Sequence, residues 1–168
     1  LEAGPEEPIA FEGSTWFTSL VGGTDRPAPE RVDIPDTVHA ELRDYQRRGV
    51  DWLYWMSRNN VGAVLADDMG LGKTLQLLSL LAVEKAAWEA SESDAEWHPT
   101  LVVAPTSVVG NWAREAARFV PDFKVLVQHG TGRLKGKELA EAAQAADIVI
   151  TSYGTVGRDF LTLGTVEW

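Results

Sequence analysis

The sequence predicts an α/β protein built on a parallel sheet, and three observations support this prediction. Short apolar runs alternate with stretches of helical periodicity from residue 42 to the end of the 168-residue chain. This alternation is typical of parallel strands joined by right-handed helical crossovers. Hydrophobic residues make up 45% of the chain and cysteine is absent, as in a globular core without disulfides. A glycine-rich turn at residues 67–74 lies between a predicted strand and a predicted helix, where parallel sheets bind ligands.

Residues 1–38 differ from the rest and are predicted to be an acidic, Pro/Gly-rich lead-in or linker. Residues 1–40 hold eight acidic and two basic side chains, and five of the eight prolines lie in residues 1–35. A short apolar patch at residues 16–21 is a candidate docking patch, with plain disorder as an equal alternative. Because the chain starts with Leu1 instead of methionine, we expect it to be part of a longer protein.

Residues 39–168 are predicted to contain all the regular elements. The first is a helix that starts near Leu42 and stops at Asn59-Asn60; its apolar face comprises Leu42, Tyr45, Gly49, Trp52, Leu53 and Met56. The following segments are a strand at 63–66, a helix at 74–87, an acidic loop at 88–99 and a strand at 101–104.

The same alternation continues to the end of the chain. We predict a helix at 108–119 with Ser107 as a candidate N-cap, a strand at 124–127, a helix at 138–145, a strand at 148–150, and then a turn and short helix. The basic loop 129–137 is interpreted as a solvated surface, with a contact to a nucleic acid backbone as the alternative.

The segment Asp67–Thr74 carries the clearest chemistry. Glycines at 70 and 72 let backbone N–H groups turn inward around phosphate oxygens, and the N-terminus of the following helix adds partial positive charge. Lys73 can reach the β- and γ-phosphates as a point charge, and the Thr74 hydroxyl can ligate Mg²⁺. A surface turn is the plain alternative, and the loop departs from the general phosphate-loop pattern because Asp67 stands where that pattern has glycine.

Four blocks in order resemble the Swi/Snf-type ATPases, which are double-stranded-DNA translocases of helicase superfamily two. Residues 67–74 resemble motif I of that family, with Asp68 where the family usually has glutamate. Residues 42–46 resemble its adenine-recognising Q-type motif, residues 101–119 its motif Ia, and residues 150–155 its motif Ib. The match covers roughly residues 40–157. It implies a three-layer P-loop NTPase (RecA-like) lobe around the parallel sheet.

The resemblance also implies site residues and cofactors. ATP with Mg²⁺ would be the bound cofactor, and Lys73 and Thr74 would be the catalytic residues, Thr74 as the Mg²⁺ ligand. The nucleotide-binding set is Gln46, Arg43, Asp68, Met69, Gly70, Leu71, Gly72, Lys73 and Thr74, in which Gln46 would bond the adenine edge. On its own residue pattern, Gln46 would instead be an exposed polar residue on an amphipathic helix.

The resemblance further implies contacts to duplex DNA, through groups that hold the backbone without reading its sequence. The candidate DNA-binding residues are Thr106, Ser107, Asn111, Ser152 and Tyr153. Their alternative role is helix capping. The net charge of −10 argues only against a protein that coats nucleic acid by bulk charge. The acid is concentrated in residues 1–40 and 75–100, so the segments with the motifs are neutral.

Two parts that hydrolysis needs are expected to be missing. The sequence contains no Asp-Glu dipeptide, the usual carboxylate pair for Mg²⁺ and the attacking water, and Asp147 precedes its strand instead of following it. We therefore expect a lobe truncated before the motif II strand, separated from the second RecA-like lobe of the parent protein. The parent is expected to be an ATP-dependent DNA helicase/translocase, whereas this chain alone is expected not to hydrolyse ATP.

Two other function classes stay open on the sequence. One is a different P-loop enzyme such as a nucleotide kinase, which would share motif I alone, and the other is a non-catalytic module that binds nucleotide or a partner protein. No run of residues is apolar enough to cross a bilayer, so no membrane partner is expected. The absence of cysteine fits an intracellular protein, in the cytoplasm or nucleoid if it is bacterial, as the excess of arginine over lysine hints.

Overall fold

A three-stranded parallel sheet organises the computed structural model, which describes residues 29–91 and 95–168. The strands are ordered β1-β3-β2, where β1 is Thr100–Ala104, β2 is Val125–Gln128 and β3 is Ile148–Ser152. Both neighbours pair with β3, so that Ala104 lies opposite Ser152 and Gln128 opposite Thr151. The carboxyl ends of all three strands therefore meet at one edge.

Five helices surround this sheet in the described residues. They are α1 (Asp44–Arg58), α2 (Lys73–Glu89), α3 (Thr106–Phe119), α4 (Gly136–Gln144) and α5 (Tyr153–Leu163). Each strand is followed by a helix, as a parallel sheet requires. None of the helices in this part of the chain is both long enough and apolar enough to span a membrane.

The alternation of side chains along β3 creates three layers. Ile148 and Ile150 join a core with α2 and α3, which contains Leu78 and Ala116. Val149 points to the other face, where it packs with Ala143 of α4 and with Val166. All five residues of β3 are buried, as expected for a central strand covered by helices on both faces. The α/β prediction with a parallel sheet is confirmed.

The segment before α1 belongs to the same compact unit, Arg31–Trp168. The Val32 N–H donates to Asp51 Oδ1 at 3.0 Å, and Arg47 Nη2 donates to the Val32 carbonyl at 3.0 Å. Val38 is buried in the α2–α3 core. Residues 31–38 are therefore held by specific contacts, whereas the candidate docking patch at 16–21 lies outside the described residues.

The strand predicted at residues 63–66 is wrong. This run is irregular, and Val64 is 83% exposed. Its apolar side chains resemble those of a buried strand, but a strand also needs a neighbour to take its backbone hydrogen bonds. Among the described strands, β1 and β2 both pair with β3 and none lies beside this run.

Three smaller predictions also needed correction. Ser107 is not an N-cap, because α3 begins at Thr106 with Pro105 in the N-cap position and no side-chain cap bond. The last helix, α5, has 11 residues and directly follows β3, whereas a turn and a short helix were expected. The buried face of α1 is rotated from the predicted one and comprises Gln46, Val50, Asp51 and Leu53. Hydrophobicity could not reveal this face, since two of its four residues are polar and buried through tertiary hydrogen bonds.

Candidate functional site

The loop before α2 adopts the backbone conformation that its glycines allow. Gly70 and Gly72 have φ angles of +88° and +78°, values that residues with a Cβ rarely adopt. A Cβ at Gly70 would meet no heavy atom of the described residues within 4 Å, so the space beside this residue is open. Met69 at the tip is 98% exposed. The loop therefore leaves space for a ligand against its backbone.

The N-terminus of α2 supplies free donors next to this space. The Gln76 N–H makes the first helical bond, to the Gly72 carbonyl at 3.0 Å, so the N–H groups of residues 72–75 have no acceptor within the helix. No side chain caps this end, and its first turn carries no acidic residue. The partial positive charge of the helix is thus not balanced by the helix's own side chains, which favours binding of an anion.

Lys73 places its ammonium group across the loop. Its Nζ donates to the carbonyl oxygens of Asp67 at 2.6 Å and Asp68 at 2.8 Å. Both acceptors are neutral, so the full positive charge stays available to an anion in the loop. Any phosphate bound there would have to compete with these two carbonyls for the Lys73 protons.

The side chains of Tyr45 and Gln46 connect α1 to the same loop. The Tyr45 hydroxyl and Gln46 Nε2 both donate to the Leu71 carbonyl, each at 3.2 Å. Gln46 Oε1 accepts the Arg43 N–H at 2.9 Å. Gln46 is buried. The helical pattern alone had suggested an exposed polar side chain, and the structure contradicts that alternative. Both the oxygen and the nitrogen of the Gln46 amide are hydrogen-bonded within the protein, and the side chain lies beside the loop at residues 67–74.

We predict that Gly72→Ala severely damages the loop. A Cβ at residue 72 would lie 2.4 Å from Gln46 Nε2, and the φ of +78° would be strained as well. Strain of this kind costs about 1–3 kcal/mol before the clash is counted. Equilibrium titration with a fluorescent ADP analogue should therefore detect weaker binding than wild type. Gly132→Ala is the control because a Cβ there meets no heavy atom within 4 Å, and equal affinity in both variants would contradict the prediction.

A second link between α1 and the loop was not predicted from the sequence. Gln76 of α2 is fully buried, and its Nε2 donates to Asp67 Oδ2 at 2.9 Å. Its Oε1 is buried without a hydrogen-bond partner among the described residues, and it lies 1.9 Å from the position of a Cβ on Gly49. The sequence feature that could have revealed this link is the single amide side chain among the apolar residues of α2, because amides are unusual in a core.

Two clefts differ in their relation to the loop. A cleft of about 430 Å³ is lined by residues on both sides of Arg43, including Leu42, Asp44 and Arg47, and so lies at the N-terminal end of α1. A larger cavity of about 670 Å³ is lined by Arg58, Ser91 and Thr100, near the C-terminal ends of α1 and α2 and the start of β1. The larger cavity therefore belongs to the opposite edge from the strands' carboxyl ends.

Four of the five candidate DNA-binding residues follow adjacent strands, and the fifth, Ser152, is the last residue of β3. Thr106, Ser107 and Asn111 follow β1 on α3 and are exposed, while Asn111 Oδ1 accepts Arg114 Nη2 at 2.6 Å. Tyr153 after β3 is 66% exposed. Ser152 differs, because it is buried and its hydroxyl is bonded to Thr155 Oγ1 at 2.9 Å. Since Ala104 pairs with Ser152, the two groups lie at one edge of the sheet.

The basic loop after β2 is bound to α5 by a hydrogen bond and an ion pair. Asp159 Oδ2 accepts a hydrogen bond from Gln128 Nε2 at 2.8 Å and forms an ion pair with Arg133 Nε at 3.3 Å. Gln128 also bonds both the N–H and the carbonyl of Leu134. Arg133 is thus engaged within the protein, whereas Lys135 is exposed. Residues 129–137 are therefore solvated only in part, whereas a fully solvated loop was expected.

These observations fit a nucleotide phosphate group and its magnesium ion. The open loop, the uncompensated helix end and Lys73 supply donors and positive charge, and Thr74 stands on the first turn of α2 with a hydroxyl of the kind that Mg²⁺ accepts. In residues 29–91 and 95–168, no three His, Asp or Glu side chains converge into a metal site.

Sequence comparison identifies relatives over most of the chain. The family described as SNF2-related domain matches residues 45–168. YwqA of Bacillus subtilis is 43% identical over 165 residues, which cover 95% of this chain and 17% of that protein. Helicase SWR1 of Saccharomyces cerevisiae is 39% identical over 140 residues, which cover 82% of this chain and 9% of that protein. The chain thus spans a small part of the length of these relatives.

Solved structures agree with this match. The SWI2/SNF2 ATPase core of Sulfolobus solfataricus in complex with dsDNA is 36% identical, with a TM-score of 0.67 over 83% of this chain and 26% of that one. The same core domain without DNA gives a TM-score of 0.65 at 37% identity, over 80% of this chain and 25% of that one. The predicted RecA-like lobe and the predicted family resemblance are confirmed.

Proposed function

The chain belongs to the SNF2-related domain family, and from this premise we propose that it is the ATP-binding part of a helicase/translocase that couples ATP hydrolysis to movement on duplex DNA. The relatives that carry helicase names are much longer than this chain, so the activity belongs to the whole protein. The observation that carries the proposal is the loop at residues 67–74, where open backbone, a free helix end and Lys73 converge.

The phosphates would be held by the chain's own donors. Lys73 would turn from the carbonyls of Asp67 and Asp68 to the β- and γ-phosphates, where its charge offsets charge that develops on the transferred group. Backbone N–H groups at residues 70–74 would bind the phosphate oxygens. Thr74 would hold part of the Mg²⁺ coordination, and the ion would supply further neutralisation of that charge.

The adenine would lie at the N-terminal end of α1. Gln46 can offer the base one donor and one acceptor, in exchange for the bonds that it makes to Leu71 and Arg43. A cleft of about 430 Å³, lined by Leu42 and Arg47, lies at the same end of α1. This arrangement supports Gln46 and Arg43 as base-side residues, while Asp68, Met69 and Leu71 contribute through their backbone in the loop.

Duplex DNA would run along the edge formed by the carboxyl ends of β1 and β3. Thr106, Ser107, Asn111 and Tyr153 are exposed there, and short polar side chains with helix N–H groups suit phosphate contacts. Ser152 would act by fixing the start of α5 through Thr155, since its hydroxyl is buried. The dsDNA in the complex of the Sulfolobus core supports a duplex as the partner.

We expect this chain alone to bind MgATP without turning it over. The sequence has no Asp-Glu pair to orient the attacking water, and the second RecA-like lobe would supply the remaining catalytic groups. The full-length protein should hydrolyse ATP and be stimulated by duplex DNA. Measuring steady-state phosphate release from both proteins, with and without DNA, tests the two halves together.

Two results would contradict this assignment. DNA-dependent turnover by the 168-residue chain that persists through successive purification steps would show that the missing carboxylates are not needed. A full-length protein that binds MgATP but shows no DNA stimulation would favour a nucleotide-binding interaction module instead. Titrating DNA at two salt concentrations serves as the control, because backbone contacts weaken steeply as salt rises.

A further inference from the structure

The contact between Gly49, Gln76 and Asp67 joins three segments that the proposed nucleotide site depends on. Gly49 lies on α1, Gln76 lies one turn into α2, and Asp67 begins the phosphate loop. Gln76 is fully buried between the other two. Its carboxamide faces Asp67 with one atom and Gly49 with the other.

The orientation of the Gln76 amide follows from chemistry. Asp67 Oδ2 lies 2.9 Å from Gln76 Nε2, and an ionised carboxylate only accepts hydrogen bonds. The nitrogen must therefore face Asp67, which leaves Oε1 against Gly49. This oxygen is buried and has no hydrogen-bond partner within residues 29–91 and 95–168, a situation that costs free energy in a protein core. The bond to Asp67 is made at the expense of an unsatisfied acceptor.

Gly49 is the residue that permits this arrangement. A Cβ at position 49 would lie 1.9 Å from Gln76 Oε1 and 3.0 Å from Cδ, so any other residue would displace the amide. Glycine in the middle of a helix costs about 0.5–1 kcal/mol relative to alanine. The glycine leaves room for the amide to reach the Asp67 side chain, and the unpaired oxygen is a consequence of that orientation.

Asp67 is consequently held from two sides in this structure. Gln76 binds its carboxylate, and Lys73 Nζ binds its backbone carbonyl at 2.6 Å. When Lys73 turns toward a phosphate, the bond from Gln76 is the one that still fixes the start of the loop. We propose that Gln76 is a positioning residue that keeps the phosphate loop in its binding conformation, and that Gly49 couples α1 to it. The inference rests on the loop being the nucleotide phosphate site.

Four variants of this chain test the inference. Gln76→Met removes the donor but keeps an unbranched side chain of similar length, and Gly49→Ala displaces the amide from the other side. The double variant Gly49→Ala/Gln76→Ala removes the clash together with the amide. Gly157→Ala is the matched control, since it adds a Cβ to a helical glycine with no heavy atom within 4 Å.

The first readout is the dissociation constant for a fluorescent ADP analogue, measured at a temperature where circular dichroism shows every variant folded. Gln76→Met and Gly49→Ala should each weaken binding about tenfold, as for loss of a bond to a charged group. Because both act through the same bond, the double variant should bind no more weakly than Gln76→Met. Gly157→Ala should bind like wild type.

The second readout is the backbone ¹⁵N order parameters of Gly70 and Gly72 without nucleotide. They should fall in Gln76→Met and Gly49→Ala, while those of α1 and α2 stay unchanged. Unchanged loop order parameters, or an equal fall along both helices, would overturn the inference because Gln76 would then be only a packing residue. If the wild-type chain binds no nucleotide, the proposed function fails, and the loop order parameters still decide the positioning role separately.

Discussion

Replacing Lys73 by alanine is expected to weaken MgATP binding by this chain about 10- to 100-fold and to abolish ATP hydrolysis by the full-length protein. A hydrogen bond to a charged group contributes about 1.5–3 kcal/mol, and 1.4 kcal/mol corresponds to a factor of ten in affinity. The loss in binding is moderated because Lys73 already bonds the Asp67 and Asp68 carbonyls without nucleotide. The expected loss in hydrolysis is larger, since the ammonium would act on charge that builds up in the transition state.

Lys137→Ala separates this effect from a general change in charge. Lys137 is 89% exposed and pairs with Glu141 one turn along α4, at 3.0 Å. Its removal changes the net charge by the same amount, yet nucleotide affinity and turnover should stay at wild-type levels. Isothermal titration with MgATP and a phosphate-release assay measure the two quantities. Normal turnover in Lys73→Ala would show that residues 67–74 are not the catalytic phosphate loop.

The sequence predicted the part of the site that depends on local order along the chain. Glycines at 70 and 72, followed at once by Lys73, require only a turn that leads into a helix, and the structure has that turn. The alternation of strands and helices from residue 100 onward was also predictable, since apolar runs such as Ile148–Ile150 are buried on both faces. Local pattern and tertiary structure agree in these regions.

The remaining features depend on contacts between segments far apart in the sequence. Gln46 is buried because it reaches Leu71, which lies 25 residues away, and periodicity cannot register such a bond. The run around Val64 reads as a strand but has no strand beside it in the described residues. Ser152 was expected to follow its strand as a candidate DNA contact, yet it is the last residue of β3 and is buried. In each case the neighbour, not the residue type, decides the environment.

Asp147 is the charged residue whose loss is expected to destabilise the fold most. Its Oδ1 accepts Lys85 Nζ at 2.7 Å and its Oδ2 accepts the Lys124 N–H at 2.7 Å. Its backbone also bonds the Lys124 carbonyl at 2.8 Å and the Thr100 N–H at 2.9 Å. Asp147 therefore joins the amino ends of all three strands, which explains why a carboxylate precedes β3. This edge of the sheet lies opposite the loop at residues 67–74.

Asp147→Ala should lower the free energy of unfolding by about 3–5 kcal/mol, as for breaking a buried ion pair. Lys85, with 20% side-chain exposure, would keep its charge without a carboxylate, and the Lys124 N–H would lose its acceptor. For a domain of this size the thermal midpoint should fall by about 10 °C or more. Urea denaturation followed by tryptophan fluorescence measures the free energy directly.

Glu141→Ala provides the contrast, because its pair with Lys137 is exposed on both sides and should contribute less than about 0.5 kcal/mol. The double variant Lys85→Met/Asp147→Ala should recover part of the loss, since it removes the unpaired charge and leaves an apolar side chain beside Phe123, whose ring lies 4.8 Å from Lys85 Nζ. Equal losses in the free energy of unfolding for Asp147→Ala and Glu141→Ala would mean that burial does not strengthen the pair between Lys85 and Asp147. Below the unfolding transition, Asp147→Ala should bind nucleotide like wild type, because the edge that it fastens lies across the sheet from Lys73.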